Sequence, residues 1–230
     1  MVSSEVTVNA LLAILNVFFN PAETVRRIQG NKTAWFPPIL LGGLIMAAYN
    51  YTLPRATMQA LRNEPPAGYD QAKLDSLVSA MEMMSRFSTI SAPMMFALMI
   101  LVGAGLIFAM CILLRLNVRF PDLYNFMAHV GMINAVQTLT HVFVLRNIGA
   151  AITVKQLTPN FGLASFLPPD ASKLALGFVG FFSVFSVWHI LMLVIGFAAL
   201  TGCTKRRAFV ATAPSWIIGM LYEIVVTMSR

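Results

Sequence analysis

Five long stretches of the chain contain almost no charged residue, and this feature constrains the fold more than any other. Four of them lack Asp, Glu, Lys and Arg altogether, and the fifth continues past a single acid, Glu223. Each holds about the 20 apolar residues with which a helix crosses a ~30 Å hydrocarbon core, and a helix satisfies the backbone groups that lipid cannot. We therefore predict an all-α, polytopic membrane helix bundle with five transmembrane helices, at about 34–54, 87–114, 123–145, 178–202 and 207–228.

The composition is too apolar for a soluble domain of this size. Of the 230 residues, 58% are hydrophobic and 11% are charged, whereas soluble domains carry roughly a quarter charged residues. The net charge of +7 would suggest nucleic acid in a soluble protein, but here the basic residues lie in short clusters between apolar stretches. Such clusters are typical of topology signals and lipid headgroup contacts. We expect the lipid bilayer as a partner and no nucleic acid.

The N-terminal residues 1–33 precede the first span and are predicted to form cytoplasmic interfacial helices. Within them, Asn20, Pro21 and Glu23 have the spacing of a helix start, with an N-cap, a proline at the first position and an acid at the third. Residues 34–230 form the predicted five-span transmembrane domain.

Two segments of that domain are expected to lie outside the hydrocarbon core. The polar segment 55–86 is predicted to be an outer loop with an amphipathic helix, because apolar residues recur at helical spacing in its second half. The fourth apolar stretch is too long for one perpendicular crossing. We expect Leu174–Phe182 to lie at the surface and Ser183–Thr201 to cross, with a bend at Gly177 and Gly180.

The density of basic residues predicts the orientation of the chain. Lys205, Arg206 and Arg207 form a basic turn between the fourth and fifth spans, and Arg115 and Arg119 lie in the tight connection between the second and third. The bases on the other side are spread over longer loops, where the positive-inside rule weakens. We predict a cytoplasmic basic turn, a cytoplasmic N-terminus and an outer C-terminus, in a bacterial inner membrane.

Six polar side chains within the predicted spans form a candidate intramembrane polar cluster. Helical spacing places four of them on one face of the third span, and the fourth and fifth spans carry one each. They could form a proton-linked or ligand-binding pocket, or interhelical hydrogen bonds that fix the bundle, and we favour the second interpretation. We expect Glu223 to face the interior and hydrogen-bond to the third span. The six residues are Asn134, Gln137, Thr138, His141, His189 and Glu223.

The sequence carries no catalytic motif that we recognise. It contains no GxSxG, no HExxH, no Walker-type phosphate loop and no pair of carboxylates in one span. The two cysteines lack the CxxC spacing of a metal or redox site. We therefore predict that the protein is not an enzyme and has no catalytic, cofactor-binding or metal-binding residue.

Two parts of the chain carry loose motifs of a known family. The matching residues are Asn20-Pro21, Val25, Ile28 and Trp35 near the N-terminus, then Phe185, Trp188, Ile195-Gly196, Ala199-Leu200, the Gly202–Lys205 turn, Ala208 and Trp216. Together they resemble the Yip-domain membrane proteins, the Ypt/Rab-interacting protein superfamily. The resemblance implies an all-α five-span bundle with a cytoplasmic N-terminus and, for some prokaryotic members, association with ABC-type export systems.

These observations favour a non-enzymatic integral membrane scaffold or accessory subunit of a membrane complex. The expected partner is another membrane protein, either a subunit of an ABC-type exporter or a second copy of this chain. The alternative is a small transporter or lipid-handling membrane protein that uses the polar residues inside the bundle.

Overall fold

The computed structural model describes residues 12–149, 152–157, 162–168 and 170–229. A short helical segment at 12–17 precedes the longer helices, and 3-10 turns occur at Val154–Leu157 and Leu163–Phe166. The helices are α1 (Pro21–Ile28), α2 (Phe36–Asn63), α3 (Gln71–Leu113), α4 (Phe120–Ile148), α5 (Lys173–Phe181), α6 (Val184–Thr201) and α7 (Lys205–Ser229).

Five of these helices, namely α2, α3, α4, α6 and α7, are long and apolar enough to cross a membrane. The described ranges contain no β-strand, and Gly162 and Ser183 form an isolated antiparallel bridge. The prediction of an all-α protein with five membrane-spanning helices is therefore confirmed.

The helices on either side of the connection 64–70 are longer than the apolar stretches of the sequence. In the segment 55–86, predicted as an outer loop with an amphipathic helix, α2 continues to Asn63 and α3 begins at Gln71. Charged residues end the apolar stretch but do not stop a helix outside lipid. The helical structure is interrupted only at Pro65 and Pro66, which have no N–H to donate, and at Gly68, which adopts a φ of 82°.

The fourth apolar stretch divides into two helices. α5 ends at Phe181, and the hydroxyl of Ser183 caps α6 by accepting a hydrogen bond from the Ser186 N–H at 3.0 Å. The division between a preceding helix and the spanning helix falls where the sequence predicted it. The expected bend at the two glycines of α5 does not occur, because both lie within a continuous helix.

The contacts divide the chain into two compact units. The larger unit contains Met1–Ile39, Ala97–Asn134 and Asn160–Arg230, and the smaller contains Leu40–Phe96 and Ala135–Pro159. The residues before the first span therefore share a unit with residues of the spanning helices.

In the larger unit, α1 packs directly against α6. Gly196 of α6 lies against the Phe126 ring, and a Cβ there would also come within 3.1 Å of Pro21 Cβ. Just before α1, the carbonyl of Phe18 accepts a hydrogen bond of 3.0 Å from Trp188 Nε1. The glycine permits the close approach and the tryptophan holds the chain in place, so the N-terminal segment is fixed to a spanning helix.

In the smaller unit, α2 and α3 are in backbone contact. A Cβ added at Gly43 would lie 2.6 Å from the Pro93 Cα, so only glycine fits there. Pro54 cannot donate the helical hydrogen bond to the Asn50 carbonyl four residues earlier. The hydroxyl of Ser85 donates to that carbonyl instead, at 3.0 Å, and thereby joins the two helices.

Candidate functional site

The six residues of the predicted polar cluster fall into both units. The larger unit contains Asn134, His189 and Glu223, and the smaller contains the other three. Asn134 is exposed, whereas the remaining five are partly buried. That the six residues form one cluster stays a prediction.

The third-span residues of the smaller unit lie on the side of α4 that faces α2. The ring of His141 lies beside that of Tyr49, with centroids 6.2 Å apart. Gln137 and Thr138 precede it by one helical turn and are partly buried. An aromatic contact of this kind is a packing contact, which supports the interpretation that this face fixes helices together.

His189 lies in α6, close to the backbone of Val130 in α4. Its Nδ1 is buried and has no hydrogen-bond partner among the residues that the structure describes. The side chain therefore lies where two spanning helices meet.

Glu223 lies on the face of α7 that α5 covers. A Cβ added at Gly180 would lie 4.0 Å from the Glu223 Oε1. One turn away, a Cβ added at Gly177 would lie 2.8 Å from the Ile224 Cα. These two glycines let α5 lie flat on α7 beside the carboxylate. The expected hydrogen bond from the third span to Glu223 stays a prediction.

The predicted basic turn opens α7, with Lys205, Arg206 and Arg207 all exposed. Arg207 Nη2 donates a hydrogen bond of 2.6 Å to the Leu114 carbonyl, beyond the end of α3. Bases in the first turn of a helix oppose its dipole, typically at about 0.3–1 kcal/mol each. Helix stability therefore does not explain their position, whereas contact with lipid headgroups would.

A buried network of polar groups near the start of α4 lies outside the predicted polar cluster, and its bonds were not predicted from the sequence. Asp122 Oδ1 accepts a 3.0 Å hydrogen bond from the Gly30 N–H, and its Oδ2 accepts one of 2.7 Å from Arg119 Nε. One turn later, Asn125 Nδ2 donates to the Asn31 carbonyl at 2.6 Å. The network ties the residues after α1 to the third span.

The network continues into the helix through His129, which is fully buried. Its Nδ1–H donates to the Asn125 carbonyl at 2.8 Å, and Nε2 has no hydrogen-bond partner among the described residues. A signal for part of this network was present in the sequence, because Pro121 and Asp122 have the pattern of a helix start. The partners were not predictable, since two of them are backbone groups far away in the chain.

The contacts of these polar side chains favour a structural role, in which they hold helices together. No group of three or more His, Cys, Asp or Glu side chains within the described ranges could hold a metal ion. The polar side chains described above are directed mainly at backbone groups of neighbouring helices and loops. Such bonds fix helix positions and contribute about 0.6 kcal/mol on average, and up to about 2, in membranes.

Comparison with known proteins gives one family. The model of the Yip1 domain family matches residues 15–226, which is nearly the whole chain. No curated protein and no solved structure matches the chain. The earlier resemblance to the Yip-domain proteins is confirmed.

Replacing Asp122 with Ala should lower the free energy of unfolding by about 1–3 kcal/mol, as expected for lost hydrogen bonds to a charged group. Most of the loss should come from the Gly30 amide and the helix start, because Arg119 is largely exposed and its ion pair contributes little. The measurement is thermal unfolding of the purified protein in mild detergent. The matched control is Asp170→Ala, which removes an exposed carboxylate. Equal stability of the two variants would contradict the assignment.

Proposed function

We propose a function for this chain from its family, since it belongs to the Yip1 domain family. It is an integral membrane protein with five spanning helices. Our proposal is that it is a non-enzymatic scaffold, an accessory subunit that packs beside another membrane protein. A subunit of an ABC-type export system is the partner that we propose first.

The observation that carries this proposal is an exposed face on α3. Leu98, Val102 and Ile112 are 47%, 54% and 65% exposed, and Gly105 and Ala109 lie between them on the same face. The five positions alternate by four and three residues, the spacing with which one helix packs along another. The face is therefore shaped for a neighbouring helix.

Gly105 is the residue that distinguishes a protein partner from lipid. A glycine in a helix costs about 0.5–1 kcal/mol relative to alanine, and lipid contact does not require one. Nothing described lies within 4 Å of a Cβ placed at Gly105, so packing within the described chain does not explain it. Gly105 and Ala109 have the small-xxx-small spacing that lets two membrane helices approach closely.

Replacing Gly105 with Leu should reduce co-purification of the partner by about tenfold or more, since a bulky side chain would hold the two helices apart. The measurement is affinity purification from membranes in mild detergent, with quantification of the co-eluting chains. Gly105→Ala should retain the partner because the side chain remains small.

The matched control is Ala199→Leu, which places the same bulk on an exposed position of α6. It should leave co-purification unchanged. Full retention of the partner by Gly105→Leu would contradict the proposed face, and recovery of only a second copy of this chain would replace the exporter subunit with self-association.

We also propose that the basic turn faces the cytoplasm of a bacterial cell. Within the larger unit, the Gly30–Asp122 and Arg207–Leu114 hydrogen bonds bring together the chain before the first span, the connection after α3 and the turn before α7. All three segments contain bases, so one end of the unit is strongly basic. The positive-inside rule favours the cytoplasm for such an end.

Reporter insertions in a bacterial host would test this orientation. An alkaline phosphatase inserted at Gly68, or fused after Arg230, should be active because both sites lie outside in the proposal. A reporter at Arg206 should be active only if it is of a type that functions in the cytoplasm. The opposite pattern at all three sites would reverse the orientation.

A further inference from the structure

A groove between α2 and α3 in the smaller unit has a volume of about 590 Å³. It occupies the part of the two helices between the backbone contact at Gly43 and the connecting residues 64–70. Ser85, whose hydroxyl bonds to the Asn50 carbonyl, is one of its lining residues. The groove is thus a defined cavity on one side of a fixed helix pair.

The walls of the groove carry excess positive charge. Three guanidinium groups, of Arg55, Arg62 and Arg86, line it together with a single carboxylate, Glu82. Glu82 is already paired with Arg86, at 3.0 Å. Among the described residues, neither Arg55 nor Arg62 has a carboxylate partner. Two positive charges are therefore available to an anionic ligand.

One of these two charges is placed to receive such a ligand. The guanidinium of Arg55 lies 3.8 Å from the centroid of the Tyr51 ring, a cation–π contact that restricts where it can point.

The groove lies at the boundary between the apolar and polar parts of both helices. Arg55 and Arg86 are the first charged residues beyond the apolar stretches of α2 and α3. Next to Arg86, Phe87 and Ile90 are 76% and 82% exposed, as lipid-facing residues are. Ile90 and Met58 also line the groove, which gives it apolar walls beside its charges.

We propose that this groove binds an anionic phospholipid, with the phosphate between Arg55 and Arg62 and the adjoining acyl chains against Ile90. A guanidinium group offers paired N–H donors that match the oxygens of a phosphate. A small soluble anion would use the charges but leave the apolar walls uncovered. A zwitterionic lipid would bring its own cation to a groove that already has excess positive charge.

This site is independent of the scaffold proposal, because it uses α2 and the first half of α3, whereas the partner face uses Leu98–Ile112. Gly105→Leu should therefore bind lipid as the wild type does. Conversely, variants of the groove should retain the membrane-protein partner, so the failure of one proposal is distinguishable from the failure of the other.

The test is native mass spectrometry of the full chain in detergent, titrated with phosphatidylglycerol or with phosphatidylcholine of the same acyl chains. The wild type should bind phosphatidylglycerol at least about tenfold more tightly. Arg62→Gln should lose most of that preference. The matched control Lys73→Gln removes an exposed base from the same helix pair but outside the groove, and should change binding less than about twofold.

One additional arm completes the design. Glycerol phosphate, which carries the charge without acyl chains, should bind at least about a hundredfold more weakly than the lipid.

Equal binding of the two lipids by the wild type would overturn the proposal, as would an unchanged preference in Arg62→Gln. Glycerol phosphate that binds as tightly as phosphatidylglycerol would show that the groove recognises a soluble phosphate ester, and would overturn the lipid assignment. Arg62→Gln changes a polar group without adding bulk, so the variant should fold, and thermal unfolding in detergent checks that it does.

Discussion

Backbone groups inside lipid have no water to bond with, so each must find a partner within the protein. Pro54 breaks this rule locally in α2, because it cannot donate to the Asn50 carbonyl. The Ser85 hydroxyl of α3 supplies the missing donor, and the Asn50 side chain donates in return to the Ser88 carbonyl at 3.0 Å. The hydrogen bond that α2 lacks is thus replaced by hydrogen bonds between α2 and α3. These bonds fix the two helices as a pair, and the charged groove lies between the same two helices.

The N-terminal segment of the larger unit, predicted to form interfacial helices, is also held by hydrogen bonds. Three of them join residues before the first span to spanning helices. Trp188 donates to the Phe18 carbonyl, Asp122 accepts from the Gly30 amide, and Asn125 donates to the Asn31 carbonyl. The residues on both sides of α1 are therefore bonded to spanning helices. The buried face of α1, including Val25 and Ile28, packs within the unit. The Yip1 family match starts at residue 15, before α1. The central claim of our account is that this segment is an integral part of the membrane-spanning unit.

The sequence predicted the helices far better than their limits and contacts. Charge-free stretches revealed all five spans because lipid excludes charge, and Asn20 caps α1 as its motif indicated. Charge was a poor guide to where α2 ends, since that helix continues through polar residues to Asn63, just before Pro65 and Pro66. The polar contacts were harder still. Helical periodicity places His141 on a face of its helix, but not opposite Tyr49. Asp122 and Asn125 bond to backbone groups about 90 residues away, and any residue type could have supplied those groups.

Hydrogen–deuterium exchange across the N-terminal segment tests the central claim most directly. If α1 is integral to the unit, amides of 21–31 should exchange nearly as slowly as those of α6, and far more slowly than those of the connection 64–70. Trp188→Phe keeps an aromatic ring but removes the donor to Phe18, so it should accelerate exchange around α1 while leaving α7 unchanged. Exchange of 21–31 as fast as that of 64–70 in the wild-type protein would contradict the account.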